Sequence, residues 1–226
     1  GDASLRPADT YDLDDDSDTA ELLPLDLAGG PRVLEGDVDL GAFERLSFQG
    51  VWHVDQSVMA SGDGSSWGQA FKTLTEALAV VTSGNEIRVA EGTYTPSASG
   101  DRDASFVVPA GVRVFGGYAS GGGARDEVPN DGVTDTILSG DLAGDDGPDF
   151  ADNAENSYRV VVMDGTSATG SPITPVPGVS SYTLLDGLTI SGGNADGSFP
   201  ESSGGGLFCD GSATGGVCSP ALSNVS

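Results

Sequence analysis

One stretch in the first half of the chain has apolar residues at helical spacing. On a helix they form a single apolar stripe: Trp67, Phe71, Leu74, Leu78 and Val81. Ser65 or Ser66 is placed to cap the start, and the Ser-Gly-Asn run at 83–85 favours a stop. The pattern therefore predicts a short helix near residues 66–82.

After this stretch the pattern changes to short runs in which apolar and polar residues alternate, as they do in strands. The first separations between these runs are about 23 to 29 residues, a typical length for one coil of a repeat architecture. We expect the inward-facing positions to be Val89, Val112, Val114, Ile137, Val161, Leu188 and Ile190. Gly-, Asp- and Ser-rich loops separate the runs. The sequence thus predicts a β solenoid whose first coil is covered by the helix.

Composition adds a strong acidic bias to this fold. The 226 residues include 9 basic and 35 acidic side chains, for a net charge of −26. Such a surface repels nucleic acid and anionic membranes, so we expect neither as a partner. No apolar run is long enough to insert into a membrane. The acidic surface either attracts divalent cations, supports solubility in high salt, or is a solvated exterior with no further role.

Five phrases occur in an order that resembles a known class: DGSSWGQAFKTLTEAL, GNEIRVAEGTYTP, GVRVFGGYA, TILSGDL and NSYRVVV. The class comprises bacterial secreted surface proteins with a right-handed parallel β-helix (pectin-lyase-like), and the closest type has a "choice-of-anchor" ending. The resemblance implies an all-β, right-handed parallel β-helix with a short N-terminal capping helix over residues 51–226. It also implies an extracellular or cell-surface location. It leaves the activity open, because this superfamily includes lyases, hydrolases, adhesins and structural modules.

Residues 1–50 form a separate acidic segment. Its phrase LPLDLAGGPRVLEGDVDLGAFE resembles the end of such a solenoid, whereas LFCDGSATGGVCSPALSNVS, the last phrase, resembles the middle of one. Either the chain is part of a longer tandem β-helix protein, or this segment covers the last coil of another copy, head to tail, and builds a fibre. The expected contacts between copies are Val33, Val38, Leu40 and Phe43 on one side and Leu207 and Leu222 on the other.

A candidate calcium loop lies within the acidic segment. Its carboxylates alternate along the chain, so that they could converge on one cation: Asp12, Asp14, Asp16 and Asp18, with Glu21 as a further ligand. Ser17 and Leu23 stand where an EF-hand loop has Gly and Glu. The alternative is a solvated run of acids.

A second acidic group comprises Asp141, Asp145, Asp146, Asp149 and Asp152. Paired carboxylates can cleave glycosidic bonds, but a Gly/Asp turn cluster is the favoured interpretation. His53 is the sole histidine, and we expect it to pack in the first strand.

The two cysteines, Cys209 and Cys218, flank a Gly- and Ser-rich loop. In a secreted protein this arrangement favours a disulfide over two free thiols. No further ligands of the type that a zinc site needs lie nearby.

These observations favour an extracellular structural module that polymerises or adjoins neighbouring β-helix domains, and they weigh against an enzyme. The alternative is a carbohydrate-active or carbohydrate-binding module with a polysaccharide partner. The feature that separates the two is an assembled acid, base or metal constellation on the solenoid, which the sequence does not display.

Overall fold

The computed structural model describes residues 50–164, 179, 181–199, 201–212 and 218–226. Most of the regular structure in these ranges is strand. The strands are β1 Gly50–Val54, β2 Asn85–Ala90, β3 Gly92–Tyr94, β4 Phe106–Val107, β5 Arg113–Tyr118, β6 Thr136–Ser139, β7 Val161–Asp164, β8 Leu184–Ser191, β9 Leu207–Asp210 and β10 Ala221–Val225. A single short α-helix, α1, spans Leu74–Leu78 within these ranges, and 3-10 turns occupy Trp67–Gln69 and Pro148–Phe150.

The strands stack in parallel, and each coil contributes strands to three faces. The first face has the order β1-β2-β5-β8-β10, the second β3-β6-β8 and the third β4-β7-β9. Because β8 belongs to both the first and second faces, these two faces form one curled seven-stranded sheet. The fold is therefore all-β and solenoid-like, as the sequence predicts.

Glycine allows the chain to turn from the first face to the second without leaving strand structure. In β8, Leu184–Asp186 pair with β5, and Thr189–Ser191 pair with β6. Gly187 stands between the two halves with φ +68°, a region that costs glycine little and other residues considerably more. Gly117 occupies the corresponding bend in β5 with φ +82°.

Aliphatic side chains at matching positions form the interior of the stack. Ile87 lies opposite Val114, and Val114 lies opposite Leu185; each is at most 1% exposed. Burial of each such side chain stabilises the fold by about 1.5–3 kcal/mol. Of the expected inward positions, five are buried (Val89, Val112, Val114, Val161 and Leu188), and Ile190 is half-buried against the core.

Ile137 is the exception, and its prediction was wrong. In β6, Thr136, Leu138 and Ser139 are buried, whereas Ile137 is partly exposed. The hydroxyl of Thr136 accepts a hydrogen bond from the Gly117 backbone N–H at 3.0 Å and lies 3.2 Å from the Ala90 carbonyl oxygen. These backbone groups lie at the bend, and the buried Thr136 hydroxyl satisfies them. The Thr136 side chain therefore faces inward.

The helix is shorter than the apolar stripe predicts, and its cap differs. Ser66 makes no side-chain cap hydrogen bond, and α1 begins only after Thr73. Thr73 and Glu76 form a capping box, in which the Thr73 hydroxyl accepts from the Glu76 N–H and the Glu76 carboxylate accepts from the Thr73 N–H. Leu74 and Ala77 are buried, whereas Trp67 and Phe71 are half-buried.

The residues before α1 pair with β1 and do not extend the helix. His53 N–H donates to the Gly64 carbonyl, Phe71 N–H to the His53 carbonyl and Asp55 N–H to the Phe71 carbonyl, each at 2.9 Å. These bonds occupy backbone groups of β1 that face away from β2. Residues 61–81, which we call the cap segment, therefore cover the outer edge of the first face.

Candidate functional site

The last strand of the first face, β10, exposes an apolar residue of the inward row. Leu222 lies opposite Leu185 and so continues the inward row of Ile87, Val114 and Leu185. Leu185 is fully buried, but Leu222 is 52% exposed. An inward position is exposed here because, within the described ranges, no further coil lies on β10.

Backbone hydrogen bonds of β10 point towards β8. Ala221 N–H donates to the Thr183 carbonyl at 2.8 Å, and Ser226 N–H donates to the Leu188 carbonyl at 3.1 Å. No strand in the described ranges pairs with the other edge of β10. Leu207 on the third face lies opposite buried Val161 and is itself half-buried. This end of the stack, which we call the β10 end, thus combines a free strand edge with incompletely covered aliphatic residues.

The opposite end is closed by aromatic contacts of the cap segment. Trp52 lies opposite Ile87, and its ring stacks on that of Phe71 with centroids 6.0 Å apart. The His53 ring contacts the Trp67 ring edge-on at 4.8 Å, and its Nδ1 lies 3.1 Å from the Gly64 carbonyl oxygen. The sole histidine therefore packs within the first strand and the cap segment, where the sequence placed it.

The Asp55 carboxylate joins the end of β1 to the loop that holds Gly121. It is buried at the end of β1, where one carboxylate oxygen accepts from the Ser57 N–H and the other from the Gly121 N–H, both at 2.8 Å. Burial opposes ionisation of this carboxyl, but hydrogen bonds from Ser57, Gly121 and Ser120 outweigh it and hold its pKa below the usual value.

A group of carboxylates follows β6 on the loop to β7. Oxygens of Asp141, Asp146 and Glu155 all lie within 4.8 Å of one another. Asp141 also accepts hydrogen bonds from the N–H groups of Gly144, Asp145 and Asp146, at 2.6, 3.2 and 3.1 Å. These hydrogen bonds belong to the Gly/Asp turn that the sequence favours. They end on the carboxylate of Asp141 and not on those of Asp146 or Glu155.

Asn156 lies beside this acidic cluster. Its amide nitrogen donates to Asp146 Oδ2 at 2.8 Å, and the residue is only 1% exposed. Within the described residues, Asn156 Oδ1 and Glu155 Oε1 are buried oxygens without a hydrogen-bond donor. Asp146 and Asn156 line a cleft that faces Gly192 and Gly193 of the next coil.

The sequence named only part of this cluster. It grouped Asp141 and Asp146 with three exposed residues that lie outside the cluster: Asp145, Asp149 and Asp152. It missed Glu155 and Asn156, which come several residues later. Their signal in the sequence is a polar pair directly before the Ser-Tyr-Arg-Val run that enters buried β7.

The other expected sites lie outside the described residues. These are the calcium ligands Asp12, Asp14, Asp16, Asp18 and Glu21, and the contact residues Val33, Val38, Leu40 and Phe43. They stay predictions.

The expected disulfide is confirmed. Cys209 in β9 is bonded to Cys218, with Cα atoms 5.7 Å apart, and Cys218 forms a parallel bridge with Val179. The bond joins the last strand of one coil to the residues that lead into β10. Disulfides persist in oxidising surroundings, so the bond indicates a non-cytoplasmic setting. Within the described residues, no helix combines the length and the apolar character needed to cross a bilayer.

Comparison with protein families gives a match over residues 58–181, which is more than half of the chain. The matching family carries the description "Protein of unknown function (DUF1565)". This chain belongs to the DUF1565 family. That family is associated with parallel β-helix proteins, in agreement with the stacked parallel strands. No curated protein and no solved structure matches the chain at a significant level.

Of the two candidate regions, the acidic cluster lies within the DUF1565 match and the β10 end lies outside it. The match includes all of the cap segment and all of the acidic cluster, and it ends at Ser181, before β8. The disulfide and the β10 end therefore lie beyond the matched residues.

Proposed function

We propose that this DUF1565 protein is an extracellular structural module of a bacterial surface protein, with a right-handed parallel β-helix of the pectin-lyase-like, choice-of-anchor type. In this proposal, modules associate head to tail at the β10 end. The observation that carries it is the inward row of Ile87, Val114 and Leu185, which ends at exposed Leu222.

A free strand edge beside an exposed core residue favours the addition of another strand. The edge offers backbone hydrogen bonds, and coverage of Leu222 and Leu207 removes apolar surface from water. A strand that fills this place needs apolar side chains at alternate positions. Such augmentation is a common mode of recognition between β proteins.

The occupant that we propose is the N-terminal segment of a second copy. Around Val38 and Leu40 its sequence alternates apolar residues with Asp37 and Asp39, which is the pattern of a half-buried strand. Val33 and Phe43 lie on either side of this run and are the other two contacts that we expect from the segment. Because the contact joins two different surfaces, each added copy offers a new β10 end, and the contact propagates into a fibre unless it closes into a ring.

The charge of the protein makes this assembly sensitive to salt. At −26 per copy, close approach of two modules is opposed by repulsion. Added salt screens this repulsion, since the Debye length falls to about 8 Å at physiological ionic strength. We therefore expect assembly to increase with ionic strength and with divalent cations.

Two complementary variants test the contact in the full chain. Leu222→Asp disrupts the acceptor surface, and Leu40→Asp disrupts the donor segment. Val128→Asp is the matched control, because Val128 is 58% exposed on a loop and the substitution adds the same charge. Electron microscopy and sedimentation in salt and calcium should show fibres for the wild type and Val128→Asp, and monomers for each of the other two.

A mixture of the two defective variants gives a sharper result. Leu40→Asp retains an intact acceptor and Leu222→Asp an intact donor, so one pair forms but cannot be extended. We expect discrete dimers in the mixture. Monomers only, fibres of Leu222→Asp, or a wild type that stays monomeric in all these conditions would overturn the proposal of self-assembly.

A further inference from the structure

We propose that Asp141, Asp146 and Glu155 bind one divalent cation, best fitted by calcium, and that the amide oxygen of Asn156 serves as a further ligand. This site is independent of the proposed assembly and of the acidic run at residues 12–21. It uses only oxygen donors, which are the ligands that calcium prefers.

The spacing of the carboxylates fits a shared ion. Calcium binds oxygens at about 2.3–2.6 Å, so two ligands on opposite sides of one ion lie about 4.8 Å apart. All three carboxylates have an oxygen within 4.8 Å of the others. Magnesium needs shorter bonds and a stricter octahedron, and it usually retains several waters. The set of carboxylate and amide oxygens therefore favours calcium.

Among the residues that the structure describes, no cationic side chain balances the cluster. Within the described residues, none of the three carboxylates forms an ion pair. Arg102 lies nearby, but its Nε donates to the Asn156 carbonyl oxygen at 2.6 Å and its Nη2 pairs with Asp196 at 2.6 Å. Three like charges at this distance repel one another, and a bound cation converts this repulsion into attraction.

Two buried oxygens provide the independent evidence. Asn156 is 1% exposed, yet its Oδ1 has no donor in the described part of the chain, and Glu155 Oε1 is in the same state. Buried oxygen acceptors are nearly always paired, because an unpaired one loses its hydration without compensation. The Asn156 amide nitrogen donates to Asp146, so this buried side chain lies against the cluster, and a cation held there within reach of its oxygen would satisfy that oxygen.

An ion at this place would connect the loop to the stack. Asp141 directly follows β6 and Gly140, whereas Glu155 and Asn156 precede β7. Asn194 of the next coil also contacts this loop: its N–H donates to the Ser157 carbonyl and its amide nitrogen to the Asn153 carbonyl, both at 2.8 Å. Binding would therefore stabilise both ends of the loop and its contact with the next coil.

Calorimetric titration of the full chain with calcium chloride tests the site. The background variant carries Asp12→Asn, Asp14→Asn, Asp16→Asn, Asp18→Asn and Glu21→Gln, which removes every ligand expected in the first acidic run. Glu155→Gln is then compared with Asp152→Asn, which removes one charge from an exposed position on the same loop. Asp152 has φ +63°, a conformation that Asn tolerates well. We expect one site in the background and in Asp152→Asn, and at least tenfold weaker binding in Glu155→Gln.

Thermal unfolding gives a second readout that does not depend on the heat of binding. Calcium should raise the melting temperature of the background and of Asp152→Asn, but not of Glu155→Gln. In EDTA, Glu155→Gln should be at least as stable as the background, because it relieves repulsion. Absence of calcium binding up to the millimolar range, equal binding by both loop variants, or a Glu155→Gln that is equally destabilised in EDTA and in calcium would overturn the proposal.

Discussion

The two ends of the parallel stack expose very different amounts of their interior. At the first end, Trp52 continues the inward row beyond Ile87, and the cap segment covers it with Phe71 and with backbone hydrogen bonds to β1. At the β10 end, Leu222 continues the same row and stays 52% exposed. The same inward row reaches both ends, so the ends differ in how far another segment covers it. A segment that closes an end of the stack thus removes apolar surface from water there.

The β10 end is held by a covalent link and by polar contacts with the preceding coil. The disulfide joins β9 to the residues before β10, and the Asn224 amide donates to the Asp186 carboxylate at 2.9 Å. These contacts position the last strand without burying Leu222. The two ends therefore use different means: apolar burial at the first, and a cross-link at the other.

The largest expected effect compares the same substitution at both ends. Leu74→Ala removes a side chain of the cap segment that is 1% exposed, and it should lower the free energy of unfolding by about 2–5 kcal/mol. Leu222→Ala removes a half-exposed side chain and should cost less than about 1 kcal/mol in the monomer. Urea unfolding at low protein concentration measures both. Equal losses would contradict the difference between the ends.

The sequence predicts the features of the two ends that depend on residues close together in the chain. It does not predict those that depend on contacts between distant residues. The parallel strands and the covered first coil follow from local alternation and from the apolar stripe. The start of the helix does not, because residues after Gly62 form backbone bonds with β1, and this competition is not local. Ile137 was misassigned for a similar reason: Ile137 and Leu138 are adjacent aliphatics, and the bend at Gly117 decides which one faces inward.

The acidic cluster was only partly predictable. Asp141 and Asp146 stand in one acidic run, which the sequence displays directly. Glu155 and Asn156 join them only because the loop returns to the stack before β7. Their burial and the unpaired oxygen of Asn156 are tertiary features, so no spacing rule along the chain reveals them.

Removal of the disulfide should have an intermediate effect, and it acts on the β10 end alone. Cys209→Ser with Cys218→Ser opens a short loop and should lower the free energy of unfolding by about 2–4 kcal/mol. Hydrogen exchange should show faster exchange in β9 and β10, with β1 and β2 unchanged. Equal loss of protection at both ends would mean that the stack unfolds as a single unit.

The smallest expected effect is a pH dependence confined to the capped end. The folded-state pKa of Asp55 is below its usual value, because the hydrogen bonds from Ser57, Gly121 and Ser120 outweigh the opposing effect of burial. A carboxyl of this kind contributes stability above its unfolded pKa of about 3.9, and the contribution is lost as the pH falls through the folded value. Asp55→Asn should therefore lie furthest below the wild type in stability near neutral pH, and the gap should narrow in acid.

Acid also neutralises many exposed carboxylates and relieves repulsion throughout the protein. The stability of Asp55→Asn is therefore compared with that of a second variant that loses the same charge. Asp152→Asn makes the same change of net charge at an exposed site and provides the reference. As the pH falls from about 6 to about 2.5, the difference in urea midpoint between the wild type and Asp55→Asn should shrink. It should shrink more than the difference between the wild type and Asp152→Asn. A constant gap would show that Asp55 stabilises the capped end by shape alone, and a gap that widens in acid would contradict the depressed pKa. Convergence would establish that the charged hydrogen bonds of Asp55 stabilise the capped end.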